Sequence, residues 1–396
     1  MLYFSNFNQI IVNMLKICRS RSCLLTAFLV VNSYMLLAQN SYVKKYENST
    51  VFAGIDVGAK GVKLSVVEVD NNSKETGAYN VIKDTAINTD FISFTQPTFQ
   101  ATLAALIKLN AVAVKDYHIP VEHVFIAISS GVNIQAVKEN KLSWIDQLVN
   151  AFRLNNNEPD RKLVVIDVRE EARLSHLGII PDTKRYNTFL IDIGSGNTKG
   201  GYFPNGNTKE FKLFQIGWGT KSTNNATEKR LEGNNSLDNF NKNLTRVLYG
   251  AENSDIIYAV NESGSYPLSD NIAFSGGIAW ALATLMYPEL IDNSVVPVTY
   301  NEVAKFSEKI LNQYPTLSDY YIVKTLGDKT LDSAAIGKEI KRVNQVFDQR
   351  ALMAGTGLLL KIMRQFESVY EHKNFYFVKN GAVGWITAYV NQNSLK

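Results

Sequence analysis

Two segments of this chain repeat one another. One reads Gly54-Ile55-Asp56-Val57-Gly58-Ala59-Lys60-Gly61-Val62-Lys63, the other Leu190-Ile191-Asp192-Ile193-Gly194-Ser195-Gly196-Asn197-Thr198-Lys199. Each has an apolar strand ending in Asp, a Gly two residues later and a Lys seven residues after the Asp. Each opens one half of the chain, which marks a duplicated domain. A Gly-rich hairpin lets the backbone approach closely and turns several N–H groups inward, making an anion nest suited to phosphate. An Asp at the strand end repels phosphate, but it can hold a hydrated Mg²⁺ that bridges to phosphate oxygens. Candidate phosphate contacts are therefore Gly58, Ala59, Lys60, Gly61 and Lys63 in one turn, and Gly194, Ser195, Gly196, Asn197, Thr198 and Lys199 in the other. Asp56 and Asp192 are the candidate Mg²⁺ ligands. The competing reading is two ordinary hairpins whose glycines serve only the turn.

Between and after these turns, strands alternate with helices. Val51–Val57 and Lys63–Val69 read as paired strands. Ala78–Ile82, Asp90–Phe94, Val124–Ile128 and Leu163–Ile166 read as further strands, and Pro97–Val114 and Trp144–Phe152 as helices. In the second half Thr188–Ile193 and Asn271–Phe274 read as strands. Asp238–Tyr249, Gly277–Met286, Glu302–Gln313, Ser333–Gln345 and Asp348–Tyr370 read as helices. The last has an apolar stripe through Leu352, Leu359, Ile362, Phe366 and Val369. Gly355 and Gly357 cost such a helix about 1 kcal/mol each, so they are expected to allow close packing. The halves divide near Pro181 to Asn187, giving expected domains at 50–183 and 184–396.

The two turns resemble the phosphate loops of the actin, sugar-kinase and heat-shock ATPase superfamily. Ala273-Phe274-Ser275-Gly276-Gly277-Ile278-Ala279 resembles a third cleft-lining turn, adding Gly276 and Gly277 to the candidate phosphate contacts. Glu170-Glu171-Ala172-Arg173-Leu174-Ser175-His176-Leu177-Gly178 resembles the Glu-Glu-Ala-Arg motif of the exopolyphosphatase / guanosine pentaphosphate phosphohydrolase (Ppx/GppA) family. Gln349 to Gly355 is similar to that family's late helix. The resemblance runs from about Val51 to the C-terminus. It implies an α/β fold of two ribonuclease H-like, actin-like ATPase domains facing a central cleft. It implies polyphosphate or a nucleotide polyphosphate as ligand, Glu171 as the catalytic base and Mg²⁺ as cofactor. A homodimer is among the assemblies it allows. Phosphoanhydride hydrolysis needs water held in line with the terminal phosphorus, and a carboxylate between the lobes can orient and deprotonate it. A solvated helix start, where acids are favoured by the dipole, is the plainer reading of Glu170 and Glu171. His176 reads as a helix-surface residue.

Several family features are missing. Lys199 stands where the second loop usually ends in a metal-holding Glu, and Ala59-Lys60-Gly61 replaces Ser-Asn-Ser. Ala127-Ile128-Ser129-Ser130-Gly131-Val132 lacks the family's phosphate-binding Arg. Val168 and Arg169 replace the glycine before Glu-Glu, and no Arg-Glu-Gly is recognisable in Gly381 to Ile386. Lys60, Lys63 and Lys199 either supply positive charge in place of Arg or metal, or are exposed hairpin lysines. Three functions compete: a phosphohydrolase, a catalytically degenerate phosphate- or nucleotide-binding protein, and an ATP-dependent kinase.

Residues 1–39 differ from the rest. Lys16, Arg19 and Arg21 precede an apolar run from Leu24 to Ala38, the layout of a secretory signal peptide. The run is short for a membrane span, which needs about 20 apolar residues, so cleavage would leave no stable span; a retained anchor is the alternative. Both cysteines, Cys18 and Cys23, lie in this segment. A mature chain would have no thiol chemistry, as suits a periplasmic or secreted protein. That location argues against a kinase, because ATP is scarce outside the cytoplasm. A formal charge of +4 over 396 residues, with no basic tail, argues against nucleic-acid binding.

Overall fold

The computed structural model describes residues 42–70, 79–265, 269–328, 330–367, 372–379 and 381–394. The expected signal peptide and the end of the expected helix at Val369 and Tyr370 lie outside them. The architecture is mixed α/β with two sheets. The first is ordered β3-β2-β1-β4-β5, from β1 (Ser49–Val57), β2 (Gly61–Asp70), β3 (Tyr79–Asn88), β4 (Val124–Ile128) and β5 (Leu163–Val165). The second is ordered β10-β11-β9-β6-β7-β8, from β6 (Thr188–Ile193), β7 (Thr198–Tyr202), β8 (Lys212–Ile216), β9 (Asn271–Ser275), β10 (Val295–Val298) and β11 (Asn374–Val378).

The duplication is visible in the pairing. β1 pairs antiparallel with β2 and parallel with β4, and β6 pairs antiparallel with β7 and parallel with β9. Asp56 lies opposite Lys63 in one hairpin and Asp192 opposite Lys199 in the other. Residues 51–57 and all of β6 are buried, as expected of central strands covered on both faces.

In chain order the helices are α1 (Gln96–Ala111), α2 (Ser130–Lys138), α3 (Leu142–Asn156), α4 (Val168–Ile179), α5 (Thr220–Glu228), α6 (Leu237–Ala251), α7 (Ile257–Ser263), α8 (Gly277–Met286), α9 (Tyr300–Asn312), α10 (Asp319–Thr325), α11 (Ser333–Val346), α12 (Gln349–Arg364) and α13 (Gly381–Ser394). Gln96–Asp116 is long and apolar enough to cross a membrane. Its Phe99, Leu103, Leu106 and Leu109 are instead part of the first lobe's core. Gly355 and Gly357 do allow close packing: a Cβ would lie 2.7 Å from Ile278 at the first and 2.5 Å from Leu248 at the second.

Helices α4 and α13 exchange lobes. Ala172 of α4 packs with Phe203 and Phe211 of the second half, while Val390 of α13 packs with Phe52, Val67 and Val69 of the first. They cross at glycines: a Cβ on Gly178 would lie 2.1 Å from the Gly384 carbonyl oxygen. The linear halves therefore interlock, and α13 belongs by packing to the first sheet although it ends the second half.

Three local expectations change. Asp90–Phe94 is not a strand: Phe91–Ser93 is a 3₁₀ turn flanked by Asp90 at φ 58° and Phe94 at φ 45°. β11 and α13, which carry no clear periodic signal, complete the second sheet and the interlobe crossing. His176 is fully buried rather than on the surface, with Nε2 3.0 Å from the Thr188 carbonyl and its ring edge-on to Phe203. Burial pushes its pKa down to about 4, so the ring is a neutral core group at physiological pH.

Candidate active site between the two lobes

Both glycine turns close in the same way. The Gly58 amide donates to the Gly61 carbonyl at 2.9 Å, and the Gly194 amide to the Asn197 carbonyl at 3.0 Å. The N-terminus of α5 is seated on the second turn, with Thr220 N–H on the Gly194 carbonyl and Lys221 N–H on the Ser195 carbonyl at 2.8 Å. The third turn is wedged beneath it. Gly276 sits at φ +92°, and a Cβ there would lie 2.2 Å from the Ile193 carbonyl oxygen. That position needs glycine both for its backbone angle and for space.

The Glu-Glu-Ala-Arg segment is the first turn of α4, capped by the Asp167 carboxylate on Glu170 N–H at 2.8 Å. Its residues divide. Glu170 and Arg173 form a bidentate pair with two contacts of 2.8 Å. Glu171 turns into the interface and is 2% exposed. Its Oε2 accepts from Ser130 N–H at 2.6 Å. Its Oε1 lies 3.0 Å from Lys199 Nζ, which lies 3.0 Å from Asp192 Oδ2. Asp192 Oδ1 accepts from Ser275 Oγ at 3.0 Å. One buried ammonium thus joins the expected base of one half to the expected metal ligand of the other. Burial works against this charge, but Glu171 and Asp192 outweigh it and hold the ammonium above the ordinary lysine range.

Asp56 is 3% exposed, accepts from the Trp385 side chain of α13, and its Oδ1 has no hydrogen-bond partner. Burial pushes its pKa up to about 7; Lys63 opposes this, Glu171 adds to it, and Lys199 and the Trp385 bond oppose it. Ser130 Oγ and Asn197 Nδ2 are also buried without partners. Gly131 approaches Asn197 closely, with a Cβ position 3.3 Å from its Oδ1. These three orphan polar groups fit a region that receives ligand oxygens or water.

The remaining expected contacts separate. Thr198 is committed to the fold, its hydroxyl donating to the Trp218 carbonyl at 2.7 Å. Gly61 is packed against Ile87, whose carbonyl oxygen would lie 2.4 Å from a Cβ, so its role is backbone packing. Gly277 faces the Phe347 ring. Gly58, Gly194 and Ser195 are partly accessible, Lys63 is half-buried, Ala59 and Gly196 are buried, and Lys60 is exposed at the tip of the first turn. Lys221, which the sequence did not single out, forms an ion pair with Asp90 across the two halves. Lys60 is tied to that corner because its carbonyl accepts from Thr89 and Asp90 N–H.

The site does not fit a divalent cation. Asp192 is instead neutralised by Lys199. A divalent ion about 4 Å from this ammonium would meet a repulsion of about 8 kcal/mol at an effective dielectric near 20. Of the two expected Mg²⁺ ligands, Asp192 is therefore already paired with an ammonium. A glutamate with a divalent cation carries the same net single positive charge as one lysine, so the exchange preserves the charge of the site.

No protein-family model and no curated protein matches this sequence. Solved structures do. An Aquifex aeolicus Ppx/GppA family member superposes with a TM-score of 0.55 at 14% identity, covering 87% of this chain and 99% of its own. An exopolyphosphatase-like protein gives 0.55 at 14%, covering 84% and 98%. An exopolyphosphatase from Cytophaga hutchinsonii gives 0.53 at 13%, covering 88% and 99%. The fold is therefore that of the Ppx/GppA exopolyphosphatase structures, over nearly their whole length.

Proposed function

We propose that this chain is a phosphohydrolase of the exopolyphosphatase type, cleaving the terminal phosphoanhydride of polyphosphate or a nucleotide polyphosphate with Glu171-oriented water. The observation that carries this reading is that the buried Glu171 carboxylate is held between the two halves, by Ser130 N–H of the first and Lys199 of the second. An ionised carboxylate has about four lone-pair positions, so those two partners leave capacity for water. Phosphoryl transfer depends mainly on positioning and charge stabilisation. Glu171 supplies the first, and Lys199 supplies a cation beside the reacting phosphate. Because the site is closed over Glu171, substrate entry requires the lobes to part, and the Asp90–Lys221 pair is a contact that parting would break.

One observation favours a second reading, a degenerate phosphate-binding protein: both Glu171 oxygens are engaged and the residue is almost fully buried. Phosphate release by the purified protein from long polyphosphate, tripolyphosphate and guanosine tetraphosphate separates the two. Turnover on any of them supports the hydrolase. Binding without release supports the second reading.

We also place the protein in the periplasm or outside the cell, on the basic and apolar pattern of residues 1–39. N-terminal sequencing should then begin near Gln39 or Asn40, and an intact N-terminus on a cytosolic protein contradicts it.

A further inference from the structure

We infer that Lys199 is a fixed cation that takes the place of a divalent metal in this cleft, so that ligand phosphate is held without metal. The inference deepens the proposed function, because it concerns how that site meets phosphate.

Two observations carry it. Lys199 Nζ lies 3.0 Å from a carboxylate oxygen of each sequence half, with 6% of its side chain exposed. The geometry is that of a bridging counterion rather than a hairpin lysine reaching into solvent. The carboxylate that would otherwise coordinate a metal, Asp192, is satisfied on both oxygens, by Lys199 and by Ser275 Oγ.

An ammonium has three donors. Two are directed at Glu171 and Asp192, which leaves one for a phosphate oxygen. Asn197 Nδ2 and Ser130 Oγ, both buried without partners, add neutral donors, and Ser130 N–H itself holds Glu171. Together these groups describe a recogniser of a phosphate oxyanion built from nitrogen and hydroxyl donors. A hard divalent ion would require oxygen ligands with their lone pairs free.

The test uses the full protein and two probes. Mn²⁺ alone is titrated while free Mn²⁺ is followed by electron paramagnetic resonance. Tripolyphosphate binding is measured by calorimetry with Mg²⁺ and with chelator. Lys199→Glu and Lys199→Gln are run beside the wild type, with thermal melts to confirm folding. The wild type is expected to take up no Mn²⁺ at 1:1 stoichiometry and to bind tripolyphosphate within about threefold with or without chelator. Lys199→Glu is expected to bind one Mn²⁺ and to become metal-dependent for tripolyphosphate. Lys199→Gln is expected to lose tripolyphosphate affinity at least tenfold in chelator, since it keeps the size but not the charge. Stoichiometric Mn²⁺ uptake by the wild type, or a tenfold loss of wild-type affinity in chelator, overturns the inference. If the wild type binds no tripolyphosphate under either condition, the proposed ligand class fails; the Mn²⁺ titrations still decide the metal question.

Discussion

Replacing Lys199 by Met removes the only cation that contacts both Glu171 and Asp192 among the described ion pairs. The side chains are 6%, 3% and 12% exposed in the order Lys199, Glu171 and Asp192, so solvent screens them little. Removing one partner of a buried ion pair costs about 3–5 kcal/mol, because the remaining charge is left unpaired. Here two carboxylates are left facing one region, and their mutual repulsion raises the apparent pKa of the pair in the folded variant. A raised folded-state pKa confers stability below the unfolded carboxylate range near pH 4 and loses it as pH rises through the shifted value. Lys199→Met should therefore be destabilised by about 3–5 kcal/mol at pH 7.5, a melting-temperature drop of roughly 5–10 °C for a chain of this size. The deficit should shrink to less than half at pH 5. Scanning calorimetry at both pH values, with variant and wild type in the same buffers, measures this. A deficit under about 1 kcal/mol at pH 7.5, or one unchanged at pH 5, would show that the buried ion-pair reasoning is wrong.

Two further perturbations test the frame around the site. Burial raises the pKa of Glu68, but donors from Lys45 N–H, Tyr46 N–H, Ser49 Oγ and Asn80 Nδ2 outweigh this and hold it at about 2. The resulting stability is present above the unfolded value near pH 4.5 and lost as pH falls toward 2. Glu68→Gln should thus cost on the order of 2–3 kcal/mol at pH 7 and about a quarter of that at pH 2.5, read from urea unfolding curves; equal losses at both pH values would remove the carboxylate from the account. Gly178→Ala puts a methyl 2.1 Å from the Gly384 carbonyl oxygen; overpacking of this kind costs about 1–3 kcal/mol, and an unchanged melting temperature would mean that the helix crossing is not tight.

The duplicated turns were readable because they are local: Asp, Gly and Lys at fixed spacing force the hairpin, and Asp56↔Lys63 and Asp192↔Lys199 are its direct consequence. Glu171 was readable only through the resemblance of its motif, since spacing alone does not say which of two adjacent acids turns inward. The contact that defines the site was not readable. Lys199 meets Glu171 because α4 leaves the first half and packs beside β7 of the second, and no periodicity in either segment encodes that crossing. α13 was missed for a related reason. Its Gly381, Gly384, Ile386 and Thr387 are weak helix formers, and it is helical because it is buried between α4 and the first sheet. His176 was misplaced because a lone His on an amphipathic helix suggests surface, whereas here the second lobe covers that face with Phe203 and Phe211. Asp90–Phe94 looked like a strand from its apolar residues, yet it turns the chain so that Asp90 reaches Lys221.

The most direct measurement is the rate of phosphate release from tripolyphosphate in chelator, for wild type and Glu171→Gln side by side. The substitution keeps the shape of the side chain and removes its basic carboxylate. The account predicts turnover by the wild type without metal and a fall of about 10²–10⁴-fold in the variant, the usual range for loss of a general base. Equal release by the two proteins, or wild-type release that appears only when Mg²⁺ is restored, would contradict it.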